Sequence, residues 1–471
     1  MLFHSPNFLI FFIAVLIPYF MYKRSRIAVL ALANAVFYGF SGFKILLLFV
    51  LVTIATFCIV HGMRKENWRW LFWVGILLNL MNLAFFKYTL FLLNSFQGLT
   101  GIRFGFADYT QFSIVLPIGI SFYTFELISY LIDVRRGETV PTRSFLTFWT
   151  FVSMFPHLIA GPIMRGNELI PQLELLSEKR VSWMEVKYGL YLFFIGTIKK
   201  IILADNLAPV ADSFFNKAHA LSGTESWIAA YLFTFQIYFD FSAYSDMALG
   251  LGYIMGVQLA QNFITPYLSS NPTEFWKRWH ITLSRWIRDY IYIGLGGNRK
   301  GRARTQFNLL AAMLLSGLWH GANWTFVLWG GLHGILLVLH KWSLRLNRWR
   351  RINQLRGTRL YHILAVAVFF HITVWTWVFF RAPNFSLGWS MTQEMMKVNV
   401  NDLVRHPLFL AICGLYVLHL AENWIRSDES RSGWVWHRVP APVRGLLYFI
   451  LVLTIIYFTK GETYNFIYFQ F

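Results

Sequence analysis

The chain has 471 residues, of which 56% are hydrophobic, 19% aromatic and only 14% charged, with a mean hydropathy of +0.49. A soluble protein of this length carries more charged surface and divides into several domains, so the composition excludes an ordinary soluble chain and points to a single polytopic membrane domain over residues 1–471. The formal net charge of +20 would suit a nucleic-acid partner, but the basic residues cluster in short gaps between apolar runs, as positive-inside loops do, and no nucleic-acid-binding module pattern is present.

At the N-terminus, the charges Lys23, Arg24 and Arg26 follow the first apolar run rather than precede it. That order is wrong for a cleaved signal peptide and right for a retained first span with its N-terminus outside. Candidate spans follow at 7–22, 27–43, 45–62, 69–88 and 112–134, and the basic gaps 23–26, 64–69 and 135–143 all fall on the cytoplasmic side of that count. The runs 144–163, 185–204 and 226–258 are broken by Pro156, Gly161, Pro162, Gly250, Gly252 and several acids. Re-entrant pieces are expected there, because broken backbone at membrane depth survives only inside protein or along a wet cavity.

Residues 277–304 carry eight basic side chains against one acid, Asp289, and residues 341–356 carry six and no acid. Both are expected to be cytoplasmic. The runs 306–320 and 323–340 between them must then form a hairpin, or two short passes, with His320 at the apex. The last spans are expected near 360–380, 406–424 and 443–459, leaving the C-terminus outside. The fold class is therefore all-α, with about eleven or twelve crossings plus re-entrant and interfacial helices. Cys58 and Cys413 lie inside apolar runs without activating neighbours, so neither a disulfide framework nor a thiol nucleophile is expected.

The stretch EFWKRWHITLSRWIRDYIYIGLGGNR (274–299) reads as one amphipathic helix. At about 100° per residue, Phe275, Trp279, Leu283, Trp286 and Tyr290 share a face, while Lys277, Arg278, Arg285 and Arg288 take the other. Such a helix lies in the membrane interface. Its glycines, Gly294, Gly296 and Gly297, end it; no strand precedes them, which rules out a dinucleotide loop. His280 falls at the boundary of the two faces, one turn from Ser284. It is either an interfacial histidine bonded to a carbonyl or water, or a site residue.

A histidine between membrane segments is a functional hypothesis by default. For His333, His340, His362, His371 and His419 the ordinary reading, a packed ring bonded to a neighbouring helix, is preferred. His320 differs, because Gly317 and Gly321 leave its ring approachable, Trp319 and Trp324 are placed to wall a pocket, and Asn323 is placed to orient a ring or substrate. Proton transfer is the chemistry that suits one buried imidazole at neutral pH. Neither a GxSxG elbow nor an HExxH zinc motif is present, and no metal site is expected. Three polar islands remain in apolar surroundings: 117–137 with Glu126 and Asp133, 155–165 with His157, and 235–252 with Asp240, Ser242, Tyr244, Ser245 and Asp246. They read either as helix–helix hydrogen bonding or as a polar interior passage.

The segments LPIGISFYTFELISYLIDV, FPHLIAGPI, GTIKKIILADNLAP, YFDFSAYSDMALGLG, NPTEFWKRWHITLSRWIRDYIYIGLGGNR, LLSGLWHGANWTFVLWGGLHG and FIYFQF run in order from about residue 85 to the end. Together they resemble the membrane-bound O-acyltransferase family, and within it the alginate O-acetyltransferase branch. Glu126 and Ala243 stand where related sequences often have Gln and Gly. The resemblance implies a ring of tilted helices around a thin centre where two funnels meet, with His320 and His280 as the family's two histidines. It also implies an acyl thioester donor such as acetyl-CoA, no permanently bound cofactor, and an extracytoplasmic acetyltransferase partner that delivers the group to a glycan. An acyl carrier protein is a further donor candidate, and the inner membrane the expected location.

The expected chemistry is a relay. Lys277, Arg278, Arg285 and Arg288 attract the phosphates of the donor, unless they are ordinary positive-inside charge. His320 is the general base, His280 orients a substrate or polarises the carbonyl, and Trp279, Trp319 and Trp324 exclude water. Two alternatives stay open: acylation of a lipid or protein, and a transporter without chemistry, for which Asp240 and Asp246 would serve as proton-coupling acids.

Overall fold

The computed structural model describes residues 1–63, 69–102, 115–217, 220–346, 354, 356–426, 438–458 and 466–467. Most of the basic gap at 64–69, half of the 341–356 loop, most of the 426–444 loop, the start of the 112–134 span and most of the terminal FIYFQF lie outside the described residues. Among those described, all regular structure is helical. Packing divides the chain into two compact units, residues 1–193 with 246–260, and residues 194–245 with 261–471.

In the first unit, α1 (Pro6–Met21) and α2 (Arg26–Gly39) follow one another, then α3 (Phe43–Gly62) and α4 (Leu71–Leu83). A π-turn joins α4 to α5 (Thr89–Thr100). After them come α6 (Ile120–Arg136), α7 (Phe145–Ser153), the single turn α8 (Phe155–Leu158) and α9 (Gly166–Glu174). The chain passes between units within α10 (Trp183–Ile198) and α12 (Gly223–Met255), with α11 (Asp205–Phe215) between them.

Helix α1 begins where Ser5 caps the backbone N–H of Phe8 and Pro6 occupies the first position, a standard start. The two expected first spans differ from expectation. The α1 axis and the stretch from Lys23 to Gly39 are bent by 119° at a short break, so the pair is a broken span or a re-entrant turn. Arg26 is buried beside that break, where its guanidinium donates to the Leu176 and Lys179 carbonyls at 3.0 and 2.6 Å. Polar groups also pair in the interior. The His157 ring nitrogen Nδ1 lies 3.0 Å from Glu126, whose same oxygen accepts the Met164 backbone N–H at 3.1 Å.

The second unit adds α13 (Pro272–Arg278), α14 (Ile281–Trp286), α15 (Gly301–His320), α16 (Trp324–Leu346), α17 (Arg359–Arg381), α18 (Phe385–Met395), α19 (Val400–Arg405), α20 (Pro407–Arg426) and α21 (Ala441–Phe458). The expected hairpin is α15–α16. Small residues let its backbones touch: a Cβ on Gly317 would sit 2.2 Å from the Phe326 carbonyl oxygen, and one on Gly330 2.2 Å from that of Met313. The interior of this unit holds two lysine ion pairs. Lys200 contacts Asp205 at 2.8 Å and Asp240 at 2.7 Å, while Lys199 pairs with Glu422. The second Asp240 oxygen accepts the Ile467 backbone N–H at 2.7 Å, and Phe466 lies against the Lys200 ammonium at 4.4 Å.

Five described helical stretches are long and apolar enough to cross a bilayer: Phe43–Gly62, Leu71–Thr100, Trp324–Leu344, Arg359–Arg381 and Pro407–Arg426. The bent α1–α2 pair raises this to six. Large apolar side chains such as Ile10, Leu32, Trp73, Ile363 and Leu410 face outward, as lipid requires. The protein is a multi-pass membrane protein. This count takes in only single long apolar helices among the described residues, so shorter helices such as α6 and α7 are not in it. Helix α6 is buried all round from Phe122 to Leu131, and α7 with α8 is short and broken at Met154.

Candidate functional site

The expected continuous helix over 274–299 is interrupted. Asn271 caps α13 by accepting the Glu274 N–H at 2.9 Å, with Pro272 at its first position. The helix stops at Trp279, and His280 takes a left-handed backbone with φ of +40°. A β-carbon makes that conformation unfavourable, and such strain persists where surrounding structure over-determines it. The determinant is the non-helical segment upstream. Ile264 N–H donates to the Arg278 carbonyl at 2.9 Å, and Ile281 N–H to that of Asn262 at 3.0 Å. The amphipathic pattern itself survives the break: Phe275, Trp279, Leu283, Trp286 and Tyr290 are buried, while Lys277, Arg285 and Arg288 are exposed.

The break turns the His280 ring inward rather than leaving it at a face boundary; the residue is 0% exposed. Its ring lies edge-on to Phe241 at 4.8 Å, 5.9 Å from Trp319 and 6.4 Å from the His320 ring, centroid to centroid. Nδ1 is 3.2 Å from Asn262 Oδ1, an oxygen that also accepts the Thr282 backbone N–H at 3.2 Å and hydroxyl at 2.8 Å.

His320 is the last residue of α15, held as the chain turns through extended Gly321. A Cβ on Gly321 would strike the Phe326 ring at 2.1 Å. The imidazole is 2% exposed. Three rings stand edge-on around it, Trp319 and Trp329 at 5.1 Å and Phe380 at 5.4 Å. Two imidazoles thus share an aromatic enclosure in the second unit.

A cavity of about 730 Å³ lies between α13–α14, α15 and α16. Neither histidine lines it, but Ile281, next to His280, and Ser316, one helical turn before His320, do, together with Trp276, Ser284, Ala312 and Met313. Lys277, Arg285, Arg288 and Lys341 supply its cationic part, and His340 lines it as well. That volume and mix of apolar wall with a few charges fit a small-molecule site. Arg288 shares its charge with Asp289, at 2.6 Å.

The structure therefore brings His280, His320 and Trp319 together in one aromatic enclosure, and Ser284, Lys277, Arg285 and Arg288 together along the cavity. It sets other candidates apart. Trp324 is 59% exposed and does not wall the histidines. Asn323 serves the start of α16, its Oδ1 accepting the Thr325 N–H at 3.1 Å and its Nδ2 donating to the Pro383 carbonyl at 3.0 Å. Arg278 pairs with Glu274 at 2.9 Å and does not line the cavity. Trp279 is packed between Phe263, Phe275 and Trp377, behind the strained turn. Asp240 is committed to Lys200, and Asp246 is buried in the first unit. His333 bonds Thr376 at 3.2 Å as a packed histidine should, whereas His340 lines the cavity, contrary to expectation.

Sequence reasoning missed Asn262, Phe241, Trp329 and Phe380. Asn262 carried one faint signal, an amide within the largely apolar stretch before Pro266. The three rings carried none, being ordinary members of apolar helices.

Residues 71–382 match the model of the membrane-bound O-acyltransferase family, a range that holds every site residue above. The chain is 41% identical over 406 residues to "Probable alginate O-acetylase" of Azotobacter vinelandii, covering 84% of this chain and 78% of that protein. It is 38% identical over 503 residues to the protein of the same name from Pseudomonas putida, which covers both chains in full. The peptidoglycan O-acetyltransferase of Helicobacter pylori is 35% identical over 440 residues, 85% of this chain and 80% of that one. The chain belongs to the membrane-bound O-acyltransferase family and is an O-acyltransferase.

Proposed function

We propose that this protein takes an acetyl group from a cytoplasmic thioester donor, acetyl-CoA, and passes it across the inner membrane for O-acetylation of an exopolysaccharide such as alginate or another cell-surface glycan. The relatives named for acetylating alginate and peptidoglycan support a glycan acceptor. The observation that carries the reading is the pair of buried imidazoles in one aromatic enclosure, with a cation-edged cavity lined by Ile281, next to His280, and Ser316, one turn from His320. Lys277, Arg285 and Arg288 suit the phosphates of coenzyme A, and the apolar wall of Ala312, Met313 and Leu337 suits its extended arm.

His320 takes the acceptor hydroxyl proton as the oxygen attacks the thioester carbonyl. The C–S bond breaks, the ester forms, and the proton passes to the departing thiolate. Trp319, Trp329 and Phe380 keep water from competing as the nucleophile. Both termini lie outside in this reading, and an extracytoplasmic partner completes delivery.

The test is turnover of radiolabelled acetyl-CoA by the full chain in proteoliposomes, with His320→Ala beside wild type. Label transfer to a glycan oligomer or release as acetate, lost in the variant, is expected. Equal turnover in an inserted, folded His320→Ala protein would remove the histidine from the base role. Export of a labelled glycan without any acyl transfer would favour a transporter instead.

A further inference from the structure

The contacts of Asn262 decide which nitrogen of His280 carries the proton. A backbone N–H can only donate, so the Asn262 atom 3.2 Å from the Thr282 N–H must be the amide oxygen. That same oxygen faces His280 Nδ1 at 3.2 Å. Two lone pairs cannot face each other at that distance without repulsion, so Nδ1 carries the hydrogen. Burial at 0% exposure among Phe241, Phe263 and Trp319 favours the neutral ring. In a neutral imidazole with Nδ1–H, Nε2 is an acceptor only.

We infer that Asn262 is a positioning residue for the reaction proposed above: it fixes His280 as the Nδ1–H tautomer, so that Nε2 accepts a hydrogen bond from a substrate O–H or N–H. His280 then orients a substrate and does not polarise the thioester carbonyl, which needs a donor. The distance between the two rings agrees, because an oxygen bridging two imidazole nitrogens separates ring centroids by roughly 6.5 Å at ordinary hydrogen-bond lengths. The inference rests on the acyl-transfer reading.

Asn262→Asp makes a clean probe. Asn262 Nδ2 is buried and has no hydrogen-bond partner among the described residues, so exchanging it for oxygen breaks no bond there. The carboxylate still accepts from Nδ1 but stabilises the imidazolium. His320 is the titratable group whose ring faces His280, and it is present in wild type and variant alike.

The experiment measures the pH profile of label release from radiolabelled acetyl-CoA by the full chain in proteoliposomes. Asn262→Ala should lower turnover about 10- to 100-fold. Asn262→Asp should recover turnover at alkaline pH with its acid limb moved up by about 1 pH unit or more. Thr282→Val, which removes a bond to the same oxygen, should leave the limb in place. Asn262→Ala within twofold of wild type, or Asn262→Asp with the wild-type profile, overturns the inference. Active His280→Ala and His320→Ala proteins would remove both imidazoles from the reaction and overturn the inference with them, whereas no label release by wild type would overturn the acyl-transfer reading itself.

Discussion

Two buried polar clusters in the second unit look alike in sequence and are built in opposite ways. Around Lys199 and Lys200, every charge found has an opposite charge against it: Asp205 and Asp240 on one lysine, Glu422 with Arg426 on the other. Around His280 and His320, the walls are rings. Desolvation is met in the first cluster by pairing, and in the second by side chains that are neutral to begin with. The comparison teaches that the acids of the lysine cluster are architecture, while the two adjacent imidazoles, unlike His333 bonded to Thr376, are set for chemistry. That separation weakens the case for Asp240 as a proton-coupling acid.

The largest expected effect tests the second cluster. His320→Ala should cut acyl transfer at least about 100-fold with little change in the thermal unfolding midpoint, as befits loss of a general base. The first cluster should respond in the opposite sense. Lys200→Met leaves Asp205 and Asp240 unpaired, so it should destabilise the fold by about 3–5 kcal/mol, read as a large drop in unfolding midpoint in lipid or detergent. A Lys200→Met protein as stable as wild type would dissolve the contrast.

A smaller effect belongs to the cavity. Arg285→Gln combined with Lys277→Gln should raise KM for acetyl-CoA several-fold and leave kcat near wild type, with the difference shrinking at high salt. A change in kcat alone would move these residues out of donor binding. Smallest is Trp324→Ala, expected within about 0.5 kcal/mol of wild-type stability and with normal turnover, because the ring faces outward.

Much of the site could be read from the residues in order. The α15–α16 hairpin followed from two apolar runs bracketed by basic segments, and the buried face of 275–290 followed from helical periodicity. The break at His280 could not be read, because neither glycine nor proline marks it and the cause lies in the segment around Asn262. The burial of α6 all round from Phe122 to Leu131 could not be read either, because an apolar run does not show whether lipid or protein will face it. Trp324 was misplaced by a different route: adjacency to the histidine in sequence suggested adjacency in space, but the turn at Gly321 sends the two side chains apart.

The contact between Gly317 and Gly330 has a mechanical meaning. Their α-carbons come close enough that a Cβ on Gly330 would lie 3.0 Å from the Gly317 Cα, so nothing compressible separates the two helices. Helices cushioned by long side chains can slide as rotamers exchange; a pair in backbone contact cannot. The imidazole at the end of α15 therefore stands on a fixed post, and any motion that turnover requires has to come from the substrates and the walls around it.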